Sequence, residues 1–412
     1  MNITIESALL RGAVTPPPSK SQAHRALIAA ALSGGVSTIS HLRPSQDISA
    51  TLSCLSALGA YGEEISADTW QIHGLGNSIP QAGPIPSLDC GESGSTLRFL
   101  IPVALAVVGG GSFTGRGRLM ERPQEPYFRI FEEKGIAFGK KDGTLTVEGK
   151  LEAGTYALPG NVSSQFITGL LFVLPLLEGD SRLEIRTLLE SRDYVEMTLH
   201  VLRDFGIEIC AAPDGGFHIP GGQRYQSRDI TVEGDWSQGA FWYAAKLLGS
   251  QVDIEGLDPL SDQGDRKIAD FCRTLSRPGD ADLDVSQCPD LVPPLAAMAA
   301  VRSGTTRLLS AARLRMKESD RLASTASTLN ALGAQVEEHP DHLVIHGVPA
   351  LRGGVTVDSW NDHRIAMMAA VAATNCTAPV TITGAECVNK SYPTFWEDYE
   401  KLGGKLHGLV HR

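Results

Sequence analysis

Residues 321–347, RLASTASTLNALGAQVEEHPDHLVIHG, decide the fold because their pattern returns along the chain. Apolar residues at helical spacing lead to the small-residue turn LGA, and two short strand-like segments then follow and end at glycine. This order predicts a helix followed by a β-hairpin. Further copies lie at residues 47–74, 126–149 and 193–222, and a shortened copy lies at residues 395–407. The copy at 267–286 has the helix but lacks most of the hairpin.

A second set of helices is predicted between these copies, and each begins with a polar cluster. The clusters are SKSQAHR (19–25), GESGSTLR (91–98), NVSSQF (161–166), GDWSQGAF (234–241), CPDLVPPL (288–295) and WNDHR (360–364). Each opens an apolar run that is typical of a buried helix. The alternation predicts an α+β fold of two domains, each built from three βαβαββ units with pseudo-threefold symmetry, in which the fourth unit is truncated.

The repeat also predicts where the chain passes between the domains. Three of the copies precede residues 228–235 and three follow them, so we expect the chain to cross between the domains there. The proline-rich segment TPPPSK (15–20) is suited to a second crossing, because proline stiffens an extended chain. We therefore expect one discontinuous domain of residues 1–16 and 233–412, and a second domain of residues 17–232.

Composition excludes several classes of protein. The 412 residues are 42% hydrophobic and 20% charged, which is typical of a globular chain with an ample core. A net charge of −11 argues against nucleic acid or an anionic membrane as a partner. The longest apolar runs are too short to span a bilayer, and the first residues, MNITIESALL, lack the features of a signal peptide. Seven cysteines without a CxxC pair predict reduced thiols and a cytoplasmic protein.

Cations lie in the first turns of several predicted buried helices, namely Lys20, Arg25, Arg98 and Arg364. A helix N-terminus already carries partial positive charge, so cations there are unfavourable unless an anion binds. Each motif alone also allows a simpler interpretation. SKSQAHR and WNDHR could be ordinary caps with solvated neighbours, Asp290 could be an N-cap, and RMKESDR (315–321) could be a solvated face. Their joint occurrence at equivalent points of the repeat favours an anion site.

These motifs, in this order, resemble the 5-enolpyruvylshikimate-3-phosphate synthase family. The most specific are SKSxxxR, GxSGSTxR, LMERP (119–123), VSSQF, PD before a helix, RMKESDR and NDHR, and the resemblance runs from PPPSKSQAHR to VNKSYPTFW. The resemblance implies two domains with the active-site cleft between them. It implies transfer of the enolpyruvyl group of phosphoenolpyruvate to the 5-hydroxyl of shikimate 3-phosphate. It also implies no metal or cofactor, small-molecule partners only, and a monomer.

The resemblance assigns roles to individual residues. Asp290 resembles the general base and Glu318 the general acid, and Lys20 shares in the second proton step. The residues expected at phosphoenolpyruvate are Lys20, Gly94, Arg122, Gln165, Arg321, Arg364 and Lys390. Those expected at shikimate 3-phosphate are Lys20, Ser21, Arg25, Ser163, Ser164, Gln165, Ser191, Tyr194, Asp290, Arg313 and Lys317. Arg98 and His363 are expected in supporting positions.

Some positions depart from the family pattern. Glu92 stands where asparagine is common, which places an acid beside the expected phosphoenolpyruvate pocket. Arg313 stands where an asparagine commonly contacts the shikimate phosphate. Ser95 replaces threonine and keeps the hydroxyl, and Arg192 replaces lysine and keeps the charge. Gly94 is retained; bulkier residues there are associated with glyphosate tolerance, so we expect sensitivity.

The sequence argues against three other interpretations. The enolpyruvyl transferase that acts on UDP-N-acetylglucosamine usually carries a cysteine on a mobile loop, but the corresponding segment 109–125 has none. An RNA 3′-phosphate cyclase would need a basic face, which a pI of about 5.5 argues against. A non-catalytic descendant would not need Lys20, Asp290 and Glu318, all of which are present.

Overall fold

The computed structural model describes residues 1–76 and 84–408, which alternate between helices and short strands. The helices are α1 (Lys20–Leu32), α2 (Gln46–Ala57), α3 (Gly94–Val108), α4 (Glu125–Lys134), α5 (Ser164–Val173), α6 (Arg192–Asp204), α7 (Trp236–Leu247), α8 (Ile268–Leu275), α9 (Val292–Ala300), α10 (Arg321–Ala331), α11 (His363–Ala373) and α12 (Phe395–Lys401). The strands are β1 (Asn2–Glu6), β2 (Arg11–Val14), β3 (Val36–Ser40), β4 (Tyr61–Ser66), β5 (Thr69–His73), β6 (Ser87–Asp89), β7 (Gly110–Thr114), β8 (Ala137–Lys141), β9 (Thr144–Glu148), β10 (Thr155–Leu158), β11 (Ser181–Ile185), β12 (Cys210–Ala211), β13 (Phe217–Ile219), β14 (Ile230–Thr231), β15 (Gln251–Ile254), β16 (Ala281–Asp284), β17 (Thr305–Leu309), β18 (Gln335–Glu338), β19 (Leu343–His346), β20 (Thr356–Asp358), β21 (Val380–Thr383) and β22 (Lys405–His407).

The chain divides into two compact units, and each has its own apolar core. Unit 1 comprises residues 1–17 and 234–412, and unit 2 comprises residues 18–233. Unit 1 contains the sheets β20-β21-β1-β22, β16-β17-β19-β18 and β15-β2. Unit 2 contains the sheets β14-β3-β5-β4, β6-β7-β9-β8 and β10-β11-β13-β12. Every four-stranded sheet has one parallel pair followed by two antiparallel pairings, as repeated βαβαββ units require.

The truncated fourth unit is confirmed at the two-stranded sheet. There β15 pairs in parallel with β2, and α8 ends at Leu275 only a few residues before β16 begins at Ala281. No hairpin strands follow α8 in this described part of the chain. The predicted mixed fold class is therefore confirmed, with five four-stranded sheets and one two-stranded sheet among residues 1–76 and 84–408.

The predicted buried helices α1, α3 and α5 lie in the core of unit 2, and α7, α9 and α11 lie in that of unit 1. Many of their residues are alanine, whose small side chain allows α9 and α11 to pack closely. Five of the six helices are N-capped by the polar cluster that precedes them, and the caps are Ser19, Ser93, Ser163, Asp235 and Asp362. The sequence therefore places the same kind of polar helix start at equivalent points of the repeat.

Candidate active site

Asp290 is the centre of a charged cluster in unit 1. It lies in a 3-10 turn, Pro289–Leu291, directly before α9, and its side chain does not cap that helix. Its carboxylate instead accepts hydrogen bonds from Arg321 Nη1 at 2.7 Å and Arg364 Nη2 at 3.0 Å, and Lys317 Nζ lies 3.4 Å away. The simpler interpretation of Asp290 as an N-cap is therefore wrong. Three cations converge on one carboxylate.

Arg321 is buried, although it ends a segment in which five of seven residues are charged. Arg321 is the first residue of α10, and its side chain is 1% exposed. Besides Asp290, it donates to Glu318 Oε2 at 2.6 Å and to Asp362 Oδ2 at 2.7 Å. A solvated-face interpretation of this segment is therefore wrong for Arg321. One guanidinium bridges three acidic side chains.

The pKa values follow from this packing. Burial alone would raise the pKa of Asp290, but Arg364, Lys317 and Arg321 hold it well below its usual value. Burial lowers the pKa of Lys317, and the attraction of Asp290 only partly offsets this. Burial also opposes the charge of Arg321, but Asp362, Glu318 and Asp290 outweigh it and raise the pKa of Arg321. Asp290 and Arg321 are therefore both ionised in this structure.

Asp362 connects the two arginines of this cluster. It is completely buried, caps α11 by accepting from the backbone N–H of Arg364 at 3.0 Å, and also accepts from Arg321. The Arg364 guanidinium is oriented from the other side by Ser237, whose Oγ accepts from Nη2 at 2.9 Å. Arg364 Nε is buried and has no hydrogen-bond partner in the described part of the chain. This N–H donor is therefore available to a water molecule or to a bound anion.

The remaining predicted residues of unit 1 lie around this cluster on neighbouring segments. Lys390 is buried and donates to the carbonyl oxygen of Asn361 at 2.6 Å, in the turn that precedes α11. Asn361 adopts a left-handed conformation with φ 50°, which is uncommon for a residue other than glycine. His363 is buried at the first position of α11. Arg313 donates to the carbonyl oxygen of Ser286 at 2.6 Å.

In unit 2, the start of α1 carries two cations with different surroundings. Lys20 Nζ donates to Asp47 Oδ2 at 2.7 Å. Arg25 is buried, and its Nε, Nη1 and Nη2 donate to Thr198 Oγ1, Ser21 O and Tyr194 O at 2.8, 2.6 and 2.9 Å. Burial lowers the pKa of Arg25 to about 10. Ser19 does cap this helix, but the interpretation of Arg25 as a solvated neighbour is wrong.

Gly94, at the start of α3, faces a group of polar side chains. Arg98 Nη1 donates to Gln165 Oε1 at 2.8 Å, and Gln165 Nε2 donates to Ser95 Oγ at 2.9 Å. A methyl group on Gly94 would lie 2.9 Å from Arg122 Nη1 and 3.5 Å from Gln165 Oε1. The structure thus brings together the predicted residues Gly94, Arg98, Arg122 and Gln165. Only a residue without a side chain leaves this space open.

The predicted hydroxyl residues lie at the starts of α5 and α6. Ser163 Oγ caps α5 by accepting from the N–H of Gln165 at 3.3 Å, and Ser164 is buried beside it. Ser191 precedes α6 in a left-handed conformation, φ 53°, and Tyr194 is bonded through its carbonyl oxygen to Arg25. Strained backbone of this kind is common at binding sites.

The Glu92 side chain lies against the glycine at position 117. A methyl group on Gly117 would lie 2.6 Å from Glu92 Oε2. The Glu92 carboxylate therefore lies beside the loop that contains Gly117, and Arg98 donates to Gln165 Oε1 and to the carbonyl oxygen of Pro123.

Three contributors to these clusters were not predicted. Asp47 binds Lys20, Ser237 orients Arg364, and Asp362 joins Arg321 to α11. Asp362 and Ser237 lie in polar clusters that the sequence did single out, so their position at a helix start was an available signal. Asp47 follows the cap of α2 and had no such signal.

Within residues 1–76 and 84–408, no group of three or more His, Cys, Asp or Glu side chains is arranged to hold a metal ion. No helix in the same residues is long and apolar enough to cross a membrane.

The fold is that of the enolpyruvyl transferases. EPSP synthase from Acinetobacter baumannii superposes with a TM-score of 0.80 at 24% identity, covering 99% of this chain and 100% of that one. The enolpyruvyl transferase NikO from Streptomyces tendae superposes with a TM-score of 0.77 at 18% identity, covering 98% of each chain. At these identities the similarity shows the fold alone.

Sequence comparison identifies the family. The family described as EPSP synthase (3-phosphoshikimate 1-carboxyvinyltransferase) matches residues 5–399. A 3-phosphoshikimate 1-carboxyvinyltransferase of Clostridium kluyveri is 47% identical, and one of Clostridioides difficile is 43% identical; each alignment covers 98% of both chains. This chain belongs to the EPSP synthase family, and the resemblance inferred from its motifs is confirmed.

Proposed function

We propose that this chain transfers the enolpyruvyl group of phosphoenolpyruvate to the 5-hydroxyl of shikimate 3-phosphate and releases phosphate. The observation that carries this proposal is the partly buried cluster of Asp290, Arg321, Arg364 and Lys317, because it combines an ionised base with cations that can receive an anion. Family membership identifies the reaction, and the alternatives with UDP-N-acetylglucosamine or RNA are not favoured.

Charge explains why so many cations are needed. Each substrate brings one carboxylate and one phosphate, so the pair carries roughly five to six negative charges. Arg122 and the segment around Gly94 are the candidates in unit 2 for contacting phosphoenolpyruvate, and Arg321, Arg364 and Lys390 are those in unit 1. Arginine suits these contacts because its planar group binds carboxylate and phosphate through two parallel hydrogen bonds.

Shikimate 3-phosphate would be bound mainly by residues of unit 2. Arg25 is fixed by three hydrogen bonds, of which one is to Ser21 of α1 and two are to residues of α6. Ser163, Ser164 and Ser191 lie at the starts of α5 and α6, where the helix N-terminus favours an anion. Lys317 of unit 1 carries a neighbouring positive charge beside Asp290. Arg313, which donates to the carbonyl oxygen of Ser286, is the remaining candidate for a contact with the substrate phosphate.

Two proton transfers are assigned to carboxylates. As the 5-hydroxyl oxygen bonds to C2 of phosphoenolpyruvate, Asp290 takes the hydroxyl proton and Glu318 gives a proton to C3. The C–O bond to phosphate then breaks, and a proton leaves C3 for Glu318. Lys20 shares in this second proton step and stabilises charge on the bridging oxygen. No metal or cofactor is required by this sequence of steps.

The observed pairing implies that substrate binding activates both carboxylates. Arg364, Lys317 and Arg321 hold the pKa of Asp290 well below its usual value, which makes Asp290 a weak base, and Arg321 also binds the Glu318 carboxylate. An anion bound to Arg321 and Arg364 would compete for those guanidinium groups, which would raise the pKa of Asp290 and release Glu318 from its ion pair. The acid role of Glu318 therefore depends on substrate occupancy, and replacing it by glutamine should change the pH–rate profile.

Phosphate release tests the proposal directly. The protein is mixed with phosphoenolpyruvate and shikimate 3-phosphate, with phosphoenolpyruvate and UDP-N-acetylglucosamine, or with phosphoenolpyruvate alone. We expect release only in the first mixture. Release with the nucleotide sugar, or without an acceptor, would contradict the assignment, as would no release in any mixture.

We further propose that the protein acts as a monomer in the cytoplasm, without nucleic acid or membrane partners, and that glyphosate inhibits it. The acidic net charge and seven free cysteines, most of them buried, support the compartment. The open space beside Gly94 supports the inhibitor proposal, because a small anion of this kind needs the same cations as phosphoenolpyruvate.

A further inference from the structure

Arg315 makes an unusually complete set of contacts outside the cluster described above. Nη1 donates to Asp320 Oδ2 and to Glu338 Oε1, both at 2.8 Å. Nε donates to the carbonyl oxygen of Pro340 at 2.9 Å, and Nη2 donates to that of His339 at 2.7 Å. All three nitrogens of the guanidinium are therefore bonded, although the side chain is 30% exposed.

These contacts close a short loop and fasten it to a hairpin. Arg315 and Asp320 flank residues 316–319, which contain Lys317 and Glu318. Asp320 is itself fixed, because its Oδ1 caps α10 by accepting from the N–H of Ala323 at 3.1 Å. Glu338 ends β18, and positions 339 and 340 lie in the turn between β18 and β19. The loop is thus held at both ends and along one side.

Lys317 and Glu318 need this support because they have little secondary structure of their own. The 3-10 turn Ala312–Met316 ends just before them, and α10 begins only at Arg321. Their side chains nevertheless reach the buried cluster, Lys317 towards Asp290 and Glu318 to Arg321. A loop that carries proton-transfer groups must be held to within about an ångström, because a misplacement of that size costs on the order of a hundredfold in rate.

We propose that Arg315 is a positioning residue for the reaction. The hydrogen bonds of its guanidinium fix the loop 316–319 and thereby the side chains of Lys317 and Glu318. Arg315 touches no reacting atom in this proposal. The inference rests on the proposed function, since it concerns how that site is held. The inference goes beyond the proposed function because it assigns a role to a residue that contacts neither of the proposed substrates.

Replacement by lysine tests this directly. Lysine keeps the charge but cannot reach two carboxylates and two carbonyl oxygens at once. Arg315→Lys therefore removes most of these hydrogen bonds and leaves the net charge unchanged. The matched control is Arg307→Lys. Arg307 lies in the same unit on β17, and its Nη1 contacts Asp282 Oδ1 at 3.0 Å across the β16–β17 pair, away from the loop.

Four measurements separate positioning from simple stabilisation. For Arg315→Lys we expect kcat to fall on the order of tenfold and KM for phosphoenolpyruvate to stay within about twofold. Amide hydrogen exchange of residues 316–319 should become faster, and the pH profile of kcat should shift because Glu318 is less well placed. The melting temperature should change by only a few degrees. Arg307→Lys should leave all of these at the wild-type values.

The outcomes are distinguishable from failure of the proposed function. If the wild type releases no phosphate, that function is wrong, and the exchange experiment still decides whether Arg315 holds the loop. If the wild type is active and Arg315→Lys matches it in kcat and exchange, the inference is wrong. A lower melting temperature with unchanged kcat and exchange would show a structural role only. If Arg315→Lys does not fold, Glu338→Gln removes one anchor and is judged by the same criteria, with a smaller effect in the same direction.

Discussion

Replacing Gly94 by alanine probes the space beside Arg122. The added methyl group would lie 2.9 Å from Arg122 Nη1, 3.5 Å from Gln165 Oε1 and 3.9 Å from Arg98 Nη1. Ordinary contact distances begin at about 3.5 Å, so the Arg122 guanidinium must move by roughly 0.6 Å. If 1 Å of misplacement costs on the order of a hundredfold, this movement costs about tenfold, or about 1.4 kcal/mol.

We therefore expect KM for phosphoenolpyruvate to rise about tenfold in Gly94→Ala, with kcat within about threefold. KM for shikimate 3-phosphate should be nearly unchanged. Stability should not fall, because alanine is a better helix former than glycine by up to about 1 kcal/mol and Gly94 begins α3. Steady-state phosphate release at varied phosphoenolpyruvate and urea unfolding measure these quantities.

The matched control is Gly139→Ala on β8, where an added methyl group meets no atom within 4 Å. Its KM for phosphoenolpyruvate should equal that of the wild type. The reasoning is refuted if Gly94→Ala also keeps the wild-type KM, because the methyl group would then not reach the anion site. It is equally refuted if only KM for shikimate 3-phosphate changes.

Two further predictions concern buried charges. Because the folded pKa of Asp290 is lowered, its contribution to stability is present above about pH 4 and is lost as the pH falls below that value. Asp290→Asn should cost about 3 kcal/mol at pH 7, and the difference from the wild type in urea unfolding should shrink below pH 4; a constant difference would contradict this. Arg25→Lys keeps the charge but cannot make all three of the bonds of Arg25, so KM for shikimate 3-phosphate should rise about tenfold or more. The exposed Arg182→Lys serves as its control, and equal KM values for both variants would refute the assignment.

The repeat made the fold predictable from the sequence. Glycine turns and apolar periodicity recur often enough to place each helix-and-hairpin copy, and the shortened copy after Lys267 showed where strands are missing. These signals are local, so they can be recognised in the sequence without any knowledge of tertiary contacts. The domain boundaries expected at residues 16–17 and 232–233 remain predictions.

The partners within the site were less predictable, because they are distant in sequence. Ser237 and Arg364 are separated by 127 residues, and Lys20 and Asp47 by 27. Sequence also could not exclude a capping role for Asp290. An N-cap accepts a hydrogen bond from the following turn, whereas the 3-10 turn Pro289–Leu291 leaves the Asp290 carboxylate facing three cations. Which charge pairs with which is decided by packing, not by spacing.

The most direct test of the central claim compares one cation from each unit in the same assay. The claim is that cations of both units neutralise the two anionic substrates of one reaction, so Arg122→Gln and Arg364→Gln should each lower kcat/KM for phosphoenolpyruvate by at least about a hundredfold, whereas Arg307→Gln should not. If either of the first two variants, correctly folded, retains the wild-type kcat/KM, that unit does not contribute its cation to the reaction and the claim is contradicted.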